Sequence, residues 1–507
     1  MFGKIFSWTK DNCILLSIFV SVALLIFVHS YFFGAYISPD STNYLRAAQS
    51  LRDGHGFHID AAAGNPNSYF SVWPIGYPAM IALVSVITNT EIYLASKILS
   101  IVILLVIFVM LCARFKKNAW LYAFVTLNWG FINIFYYTWS EQPFILGLIW
   151  ISFAAIDILE SERIQYSHYI SIFLASLFLF LSRYIGAFSI GIIGIMAIYH
   201  LASGISKKST VYIKKAVLLF TTVIIVTGLV MLYLFLNHKY SGYLTGTKRV
   251  PISENPFELF LRLCRAQIIE MENVFSIFFV MSHGIACILY VICATRVFYF
   301  FYKKRGTFYK DIPVSVFSFL SIGLLYWLSI VTMRFSSQFD GFSYRLLFPA
   351  SALFILGIIG IFENCHSELI EKIAIGFRRY FFAVAIVLSL LLSLDRPLYF
   401  AFFKPDQNVG YQKRRSSIIE DLRDVPAHSL IITERGIKTY SRFIRPDLLI
   451  QRVNRLQNYD DIFSLIEPSK EVYLYFEWHL ISDDIKNDIN SRYNGILDFE
   501  KKVVRIK

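Results

Sequence analysis

Cysteines and charged residues are both scarce in this sequence. Six cysteines occur among 507 residues, and only 16% of all residues are charged. Five cysteines lie in or beside apolar stretches, and Cys264 alone falls in a polar loop, where we expect a free thiol. Their spacing gives no disulfide framework, so the sequence does not indicate a small secreted domain held by disulfide bonds.

Motifs for nucleotides and metals are also missing. There is no Walker pattern and no Gly-x-Gly-x-x-Gly segment after a predicted strand, which argues against a nucleotide sugar as substrate. The ten histidines are scattered, and only His55 and His58 lie close together in a polar segment. We interpret this Gly-rich pair as a mobile gate, with metal binding as the alternative. We therefore expect no cofactor.

Hydrophobic residues, by contrast, are abundant. They make up 56% of the chain, with 48 phenylalanines and 31 tyrosines, which is more than one soluble core can bury. A bilayer core needs about 20 apolar residues per helix, and such windows recur about eleven times. The predicted spans begin near residues 13, 92, 119, 142, 168, 184, 216, 275, 313, 344 and 380. This pattern predicts a mainly α-helical polytopic membrane protein.

Basic residues predict the orientation of these helices. Lysines and arginines cluster in alternate loops, which the positive-inside rule assigns to the cytoplasm. The N-terminus is then cytoplasmic and the C-terminus extracytoplasmic, in a cell (inner or plasma) membrane. The net charge of +13 is explained by this topology. Because no basic patch is interleaved with stacking aromatic residues, we expect the bilayer as a partner and no nucleic acid.

Two domains are predicted. Residues 1–396 form the membrane domain, with long outer loops at residues 34–91 and 237–274. Residues 397–507 form a small extracytoplasmic α/β domain, because the apolar runs at 429–433 and 471–476 are typical of strands between charged helical segments.

Four aromatic residues of this tail, Tyr473, Tyr475, Phe476 and Trp478, lie on or beside one predicted strand. Because side chains alternate along a strand, we expect half of them in the core and the others free to stack on an acceptor glycan.

Short inner loops and long outer loops indicate chemistry at the outer surface rather than transport. Ion-coupled carriers place charged groups deep in their helices, whereas the mid-helix positions here are almost uniformly apolar. His283 is the main exception. It is interpreted as a hydrogen-bonded histidine between helices, with a proton relay as the alternative.

Asp40 follows the first apolar helix, in the segment Ser38-Pro39-Asp40. Two interpretations are open: a functional carboxylate at the outer interface, or a cap for a helix running from Tyr44 to Leu51. Further along, Trp73-Pro74-Ile75-Gly76-Tyr77-Pro78 precedes an apolar run, residues 79–87, that is too short to span a bilayer and suits an interfacial helix.

In their order, these features resemble the polytopic glycosyltransferases of the GT-C fold, which include protein O-mannosyltransferases and the lipid A aminoarabinose transferase. The resemblance covers roughly residues 10–400. It rests on Asp40 after the first helix, the Pro-Tyr-Pro-like segment, Glu141 in Trp139-Ser140-Glu141, the Arg183-Tyr184 turn, and Arg345 ahead of Pro349.

The resemblance implies transfer of a sugar from a polyprenyl-phosphate donor, such as an undecaprenyl-phosphate sugar, onto an acceptor hydroxyl by a single inverting displacement. Asp40 occupies the position of the general base, and its environment is expected to keep it ionised. Glu141 would orient the acceptor or a basic partner, with helix capping as the competing interpretation.

Fixed positive charge is needed for the departing phosphate. Arg345 is the first candidate and Arg183 the second, and Lys97 lies where relatives often carry a basic residue. All three could instead extend to the membrane interface. Lys248 and Arg249 end a Gly-rich loop that either cradles phosphate or simply turns. The predicted substrate cavity consists of Tyr44, Tyr77, Tyr344, His55 and His58.

The acceptor is left open among an envelope glycan such as a growing O-antigen of lipopolysaccharide, lipid A and a protein. Two other function classes remain. A polysaccharide polymerase or ligase shares the many helices and outer arginines but is expected to lack an essential Asp beside the first helix. A lipid-linked sugar flippase or transporter is expected to show deep polar residues and internal symmetry.

Overall fold

Helices account for most of the described chain. The computed structural model describes residues 10–30, 36–59, 69–246, 251–275, 313–338, 341–365, 411–433, 435–452, 471–476, 483–492 and 497–506. The predicted spans near residues 275 and 380 lie outside these ranges, as do Lys248, Arg249, His283 and Trp478.

The membrane domain contributes thirteen described α-helices in chain order. They are α1 (Lys10–Val28), α2 (Pro39–Arg52), α3 (Gly76–Thr88), α4 (Ile92–Phe115), α5 (Ala119–Ala123), α6 (Trp129–Tyr136), α7 (Glu141–Glu160), α8 (Tyr166–Ser182), α9 (Phe188–Ser206), α10 (Thr210–Ser241), α11 (Pro256–Phe275), α12 (Val314–Ser336) and α13 (Tyr344–Cys365). Short 3₁₀ turns lie at Lys116–Asn118, Phe124–Leu127 and Tyr184–Ala187.

Six helical stretches among the described residues are long and apolar enough to cross a membrane. They are Ile92–Leu127, Glu141–Glu160, Tyr184–Ser206, Thr210–Ser241, Val314–Ser336 and Tyr344–Asn364. Shorter apolar helices cover Ile14–Val28, Gly76–Thr88 and Tyr166–Ser182. The polytopic helical fold is thus confirmed, whereas the predicted number of about eleven spans is not.

The span predicted from residue 119 is broken into short pieces. α5, a 3₁₀ turn and α6 follow one another there, and Asn128 starts α6 by accepting a hydrogen bond from the Gly130 amide at 2.7 Å. An asparagine side chain that caps a new helix competes with continuation of the previous one.

α7 is the central helix of the membrane domain. In its most apolar window 83% of the residues are buried, compared with 22% for α10. A helix that is apolar on all sides and surrounded by protein needs neighbours on every face, and α7 packs against α4, α8, α12 and α13. Its first residue, Glu141, is therefore carried into the interior of the protein.

α2 and α3 precede the long helices. α2 begins at Pro39, earlier than the predicted start at Tyr44, because Ser38 is its N-cap and accepts a hydrogen bond from the Ser41 amide at 3.1 Å. The predicted short apolar helix appears as α3, where Leu83, Val86 and Ile87 are exposed. Exposed apolar side chains on a helix too short to span suit a position in the membrane interface.

The tail folds as the predicted α/β unit. Its strands are β1 (Leu430–Thr433), β2 (Leu449–Arg452), β3 (Val472–Tyr475) and β4 (Val503–Arg505), and its helices are α14 (Tyr411–Asp421), α15 (Arg435–Ile444) and α16 (Asp483–Arg492). The sheet order is β2-β1-β3-β4. β1 is parallel to β2 and β3, and β4 is antiparallel to β3.

The expectation that half of the strand aromatics face solvent is wrong for the described residues. Tyr473, Tyr475 and Phe476 are all buried. β3 is an inner strand with both faces covered: Phe476 packs with Leu474 on one face, and the two tyrosines pack with Ile431 on the other. Inner strands of largely parallel sheets are typically buried on both sides.

The tail packs against the membrane domain through α14 and α15. The Tyr411 ring stacks on Tyr93 of α4 with centroids 4.1 Å apart. Glu91, just before α4, accepts a hydrogen bond from Tyr411 Oη at 3.4 Å and lies 3.7 Å from Arg415 Nε. α15 packs along α2, so the tail contacts the helix that carries Asp40.

Candidate active site

Asp40 lies in the first turn of α2, and its side chain is directed to another helix. Ser38 already caps α2, so Asp40 is not the capping residue. Asp40 Oδ2 instead pairs with Nη1 of Arg345. The Asp40 side chain is 21% exposed, so it combines a fixed cationic partner with access from outside.

Glu141 opens α7 and is enclosed by two arginines. Its side chain is only 1% exposed. Oε1 accepts a hydrogen bond from Arg345 Nε at 2.5 Å and forms an ion pair with Arg183 Nη1, while Oε2 lies 3.4 Å from Arg345 Nη2. A buried carboxylate between two guanidinium groups has the charge compensation that burial requires.

Arg183 comes from the tight turn between α8 and α9. Its amide donates to the Leu179 carbonyl at 3.0 Å, and its own carbonyl accepts from the Gly186 amide at 2.8 Å. A side chain at Gly186 would overlap the backbone of Leu179, so glycine is required for this close approach. Tyr184 stabilises the turn, because its hydroxyl donates a hydrogen bond to the Ser71 carbonyl at 2.7 Å.

The four charged groups form one chain of alternating charge: Asp40, Arg345, Glu141 and Arg183. The two carboxylates and the two guanidinium groups have a combined formal charge of zero. The arginine side chains are 15% and 14% exposed, compared with 1% for Glu141. Exposure therefore separates the roles that these groups can take, because Asp40 and the arginines can reach a ligand whereas Glu141 reaches only its partners. We name these four residues the charged cluster.

Trp139 and Tyr44 pack behind the charged cluster. The Arg345 Cζ atom lies 4.4 Å from the centre of the Trp139 ring. Tyr44 Oη donates to Ser140 Oγ at 2.8 Å, and its ring packs against Trp73 and Tyr77 at 5.1 and 5.2 Å. The Tyr44 phenol is a protonated donor at neutral pH, and burial raises its pKa further.

Lys97 is placed apart from the charged cluster. It is fully buried in α4, where Nζ donates to the Tyr136 carbonyl at 2.5 Å and lies 5.0 Å from the centre of the Tyr93 ring. The ammonium therefore neither extends to the interface nor points to Arg345. It satisfies a carbonyl at the end of α6, as basic groups do at helix C-termini, and this geometry does not support a phosphate contact.

The residues predicted to line the substrate cavity are only partly assembled. Tyr44 and Tyr77 are fully buried behind the charged cluster, and Tyr344 opens α13 beside Arg345 with a partly exposed side chain. His55 is exposed, whereas the His58 ring packs 5.6 Å from Tyr69. In the described part of the chain, no group of three or more His, Cys, Asp or Glu side chains could hold a metal ion.

An apolar groove opens at the α8–α9 turn, where Tyr184 and Ile185 line it. Its cavity volume is about 590 Å³, and it runs between the α8–α9 turn, α10 and α12. Most of its lining is apolar, including Phe180, Val230 and Leu328, while Ser329 and Thr332 add hydroxyl groups. A largely apolar groove of this kind is suited to the hydrocarbon chain of a lipid.

The sequence motifs did not reveal every residue of the site. In the sequence, Trp139, Ser140 and Ser38 stand out only as neighbours of acidic residues. In the structure, Trp139 contacts Arg345, Ser38 accepts a hydrogen bond from Trp139, and Ser140 accepts one from Tyr44. An aromatic residue two positions before an acid is a weak signal, because it says nothing about an arginine more than two hundred residues later. Contacts between residues so far apart in the sequence can be identified only from the folded structure.

Comparison with known proteins supports the fold. No protein-family model matches the sequence, and no curated protein is similar to it in sequence. Two solved structures of ArnT from Cupriavidus metallidurans, a lipid A aminoarabinose transferase, match 96% of this chain and 97% of their own. The structure bound to undecaprenyl phosphate has a TM-score of 0.55 at 11% identity, and the apo structure 0.56 at 10%. The chain therefore has the GT-C fold, as the motifs indicated.

Proposed function

We propose that this protein is a membrane glycosyltransferase. It moves a sugar from a polyprenyl-phosphate-linked donor to an acceptor hydroxyl of an envelope glycan, a lipid or a protein at the outer face of the membrane. One observation carries the proposal: the charged cluster joins a partly exposed carboxylate to two arginines at the ends of membrane helices. The GT-C fold and the bound undecaprenyl phosphate of the similar ArnT structure support it.

Asp40 is the general base in this proposal. The acceptor oxygen attacks the anomeric carbon while its proton passes to Asp40, and the bond between that carbon and the phosphate oxygen breaks. The bonding electron pair leaves with the phosphate. A positioned base contributes about 10²–10⁴-fold in rate. Because the two oxygens lie on opposite sides of the carbon, the configuration is inverted.

Arg345 and Arg183 stabilise the charge that gathers on the departing phosphate. A guanidinium group stays protonated and offers several donors, which suits a phosphate better than an ammonium does. Glu141 holds both arginines from the buried side and fixes their positions for the phosphate. The apolar groove at the α8–α9 turn, the turn that also carries Arg183, receives the first isoprene units of the donor.

The test is transfer of radiolabelled sugar by purified protein in nanodiscs. A panel of polyprenyl-phosphate sugars is combined with extracted envelope glycans, lipid A and proteins. Asp40→Asn is the test variant. Asp157→Asn is the matched control, because Asp157 also pairs with an arginine, Arg114, but near the other end of α7.

We expect transfer by wild type and the control, and at least about 10²-fold less by Asp40→Asn. Equal transfer by Asp40→Asn would contradict the role of Asp40. If no donor is used while lipid-linked glycans are polymerised or moved across the membrane, the protein is a polymerase or a flippase instead.

A further inference from the structure

Trp139 contacts two parts of the candidate site, Arg345 and the N-cap of α2. It is 6% exposed, in the segment that links α6 to α7. Arg345 Cζ lies 4.4 Å from the centre of its ring, and the Tyr137 ring stacks on it with centroids 4.2 Å apart and an interplanar angle of 6°. Its indole N–H donates to Ser38 Oγ at 2.7 Å. One side chain thus touches the arginine and the N-cap of α2.

The ring face supplies a constraint that the carboxylates do not. Asp40 and Glu141 accept hydrogen bonds from N–H groups on the edges of the Arg345 guanidinium, which fixes its direction within the plane. An indole face close to Cζ holds the planar group by cation–π attraction and by contact. This contact limits the positions that a phosphate oxygen can take against the exposed N–H groups.

The indole N–H group of Trp139 contacts α2, the helix that carries Asp40. Ser38 accepts this hydrogen bond and also caps α2, whose first turn carries Asp40. Trp139 is therefore linked both to Arg345 and, through Ser38, to the helix turn that carries Asp40. Both contacts come from one rigid ring, so a shift of the ring changes both.

The segment that carries Trp139 is itself held firmly. Thr138 Oγ1 lies 2.9 Å from Ser96 Oγ, and Gln142 Nε2 donates to the Tyr137 carbonyl at 2.7 Å. Just before it, Lys97 donates to the Tyr136 carbonyl. These hydrogen bonds, of which two are buried and one is partly buried, hold the segment in one conformation, which is the condition for precise placement of a functional group.

We infer that Trp139 is a positioning residue, which aligns Arg345 with the donor phosphate through its ring face and with Asp40 through its N–H group. The inference rests on the proposed function, because it assigns polyprenyl phosphate as the anion that Arg345 meets. The two contacts are separable. Phenylalanine keeps an aromatic face and removes the N–H group, whereas leucine removes both.

The experiment is a double-mutant cycle on binding of polyprenyl phosphate to the purified full-length chain in nanodiscs. Trp139→Leu, Arg345→Met and the double variant are compared with wild type. Trp139→Leu should weaken binding about tenfold, a magnitude between those of an exposed and a desolvated cation–π contact, and should change nothing further when Arg345 is methionine. Trp139→Phe should restore most of the binding.

Turnover tests the second contact and does not depend on the leucine variant being folded. Trp139→Phe should lower kcat severalfold with little change in the donor KM, and it should have no further effect when Ser38 is replaced by alanine. Effects of Trp139→Leu and Arg345→Met that simply multiply would overturn the inference. A wild type that binds no polyprenyl phosphate would overturn the proposed function and the inference with it.

Discussion

Neutralising Glu141 is expected to destabilise the protein more than any other single charge change in the charged cluster. Glutamine has nearly the same volume, so Glu141→Gln leaves no cavity and isolates the effect of charge. The side chain is 1% exposed and faces both Arg183 and Arg345. Removing one partner of a buried ion pair costs about 3–5 kcal/mol, because an uncompensated charge remains in the interior.

A second substitution should compensate for this loss. Arg183→Met in the Glu141→Gln background removes the cation that lost its partner and leaves Arg345 paired with Asp40. We expect the double variant to recover more than half of the lost free energy of unfolding. Arg183→Met alone should cost less than Glu141→Gln, because Glu141 then keeps its hydrogen bond from Arg345 at 2.5 Å.

The assay is a urea titration of detergent-solubilised protein, followed by tryptophan fluorescence. Glu160→Gln is the matched control: Glu160 ends the same helix and pairs with Arg114, but its side chain is 45% exposed. Exposed ion pairs contribute about 0–1 kcal/mol, so the free energy of unfolding of the control variant should be close to the wild-type value. If the free energy of unfolding of Glu141→Gln is also within about 1 kcal/mol of the wild-type value, charge balance in the charged cluster does not stabilise the protein.

Three further predictions concern the donor. Arg345→Ala should weaken polyprenyl-phosphate binding and lower transfer by about 10²-fold, with Lys only partly restoring both. Ser329→Trp, which fills the apolar groove, should raise the KM of a long-chain donor but not of a short-chain analogue, whereas Leu324→Trp on the same helix but outside the groove should change neither. Gly186→Ala should displace the turn that carries Arg183 and lower transfer, while Gly191→Ala, which has open space, should be silent.

Helices and strands were predictable from the sequence where the pattern was long and regular. The apolar run after Glu141 and the split at Arg183 correspond to α7 and to the α8–α9 turn. The prediction of one continuous span from residue 119 is wrong, because the Asn128 side chain starts a new helix inside this apolar stretch. The start of α2 was misplaced, because Ser38 and Pro39 are a stronger start signal than Asp40.

The candidate site was predictable only in part. Asp40, Glu141, Arg183 and Arg345 could be chosen one by one, because charge at the end of an apolar helix is conspicuous. Their pairing could not, since Arg345 Nη1 meets a carboxylate 305 positions earlier in the chain. Lys97 fitted the same rule, yet it is bonded to a backbone carbonyl. Such cases are decided by packing around each group, which composition and spacing do not record.

The most direct test of the central claim is a single-turnover reaction with a labelled polyprenyl-phosphate sugar and the acceptor identified by the panel. Wild type should release polyprenyl phosphate and glycosylated acceptor together, in equal amounts and with inversion at the anomeric carbon. Asp40→Asn should bind the donor but release neither product at a comparable rate. Release of both products by Asp40→Asn at the wild-type rate would contradict the assignment of the charged cluster as the catalytic centre.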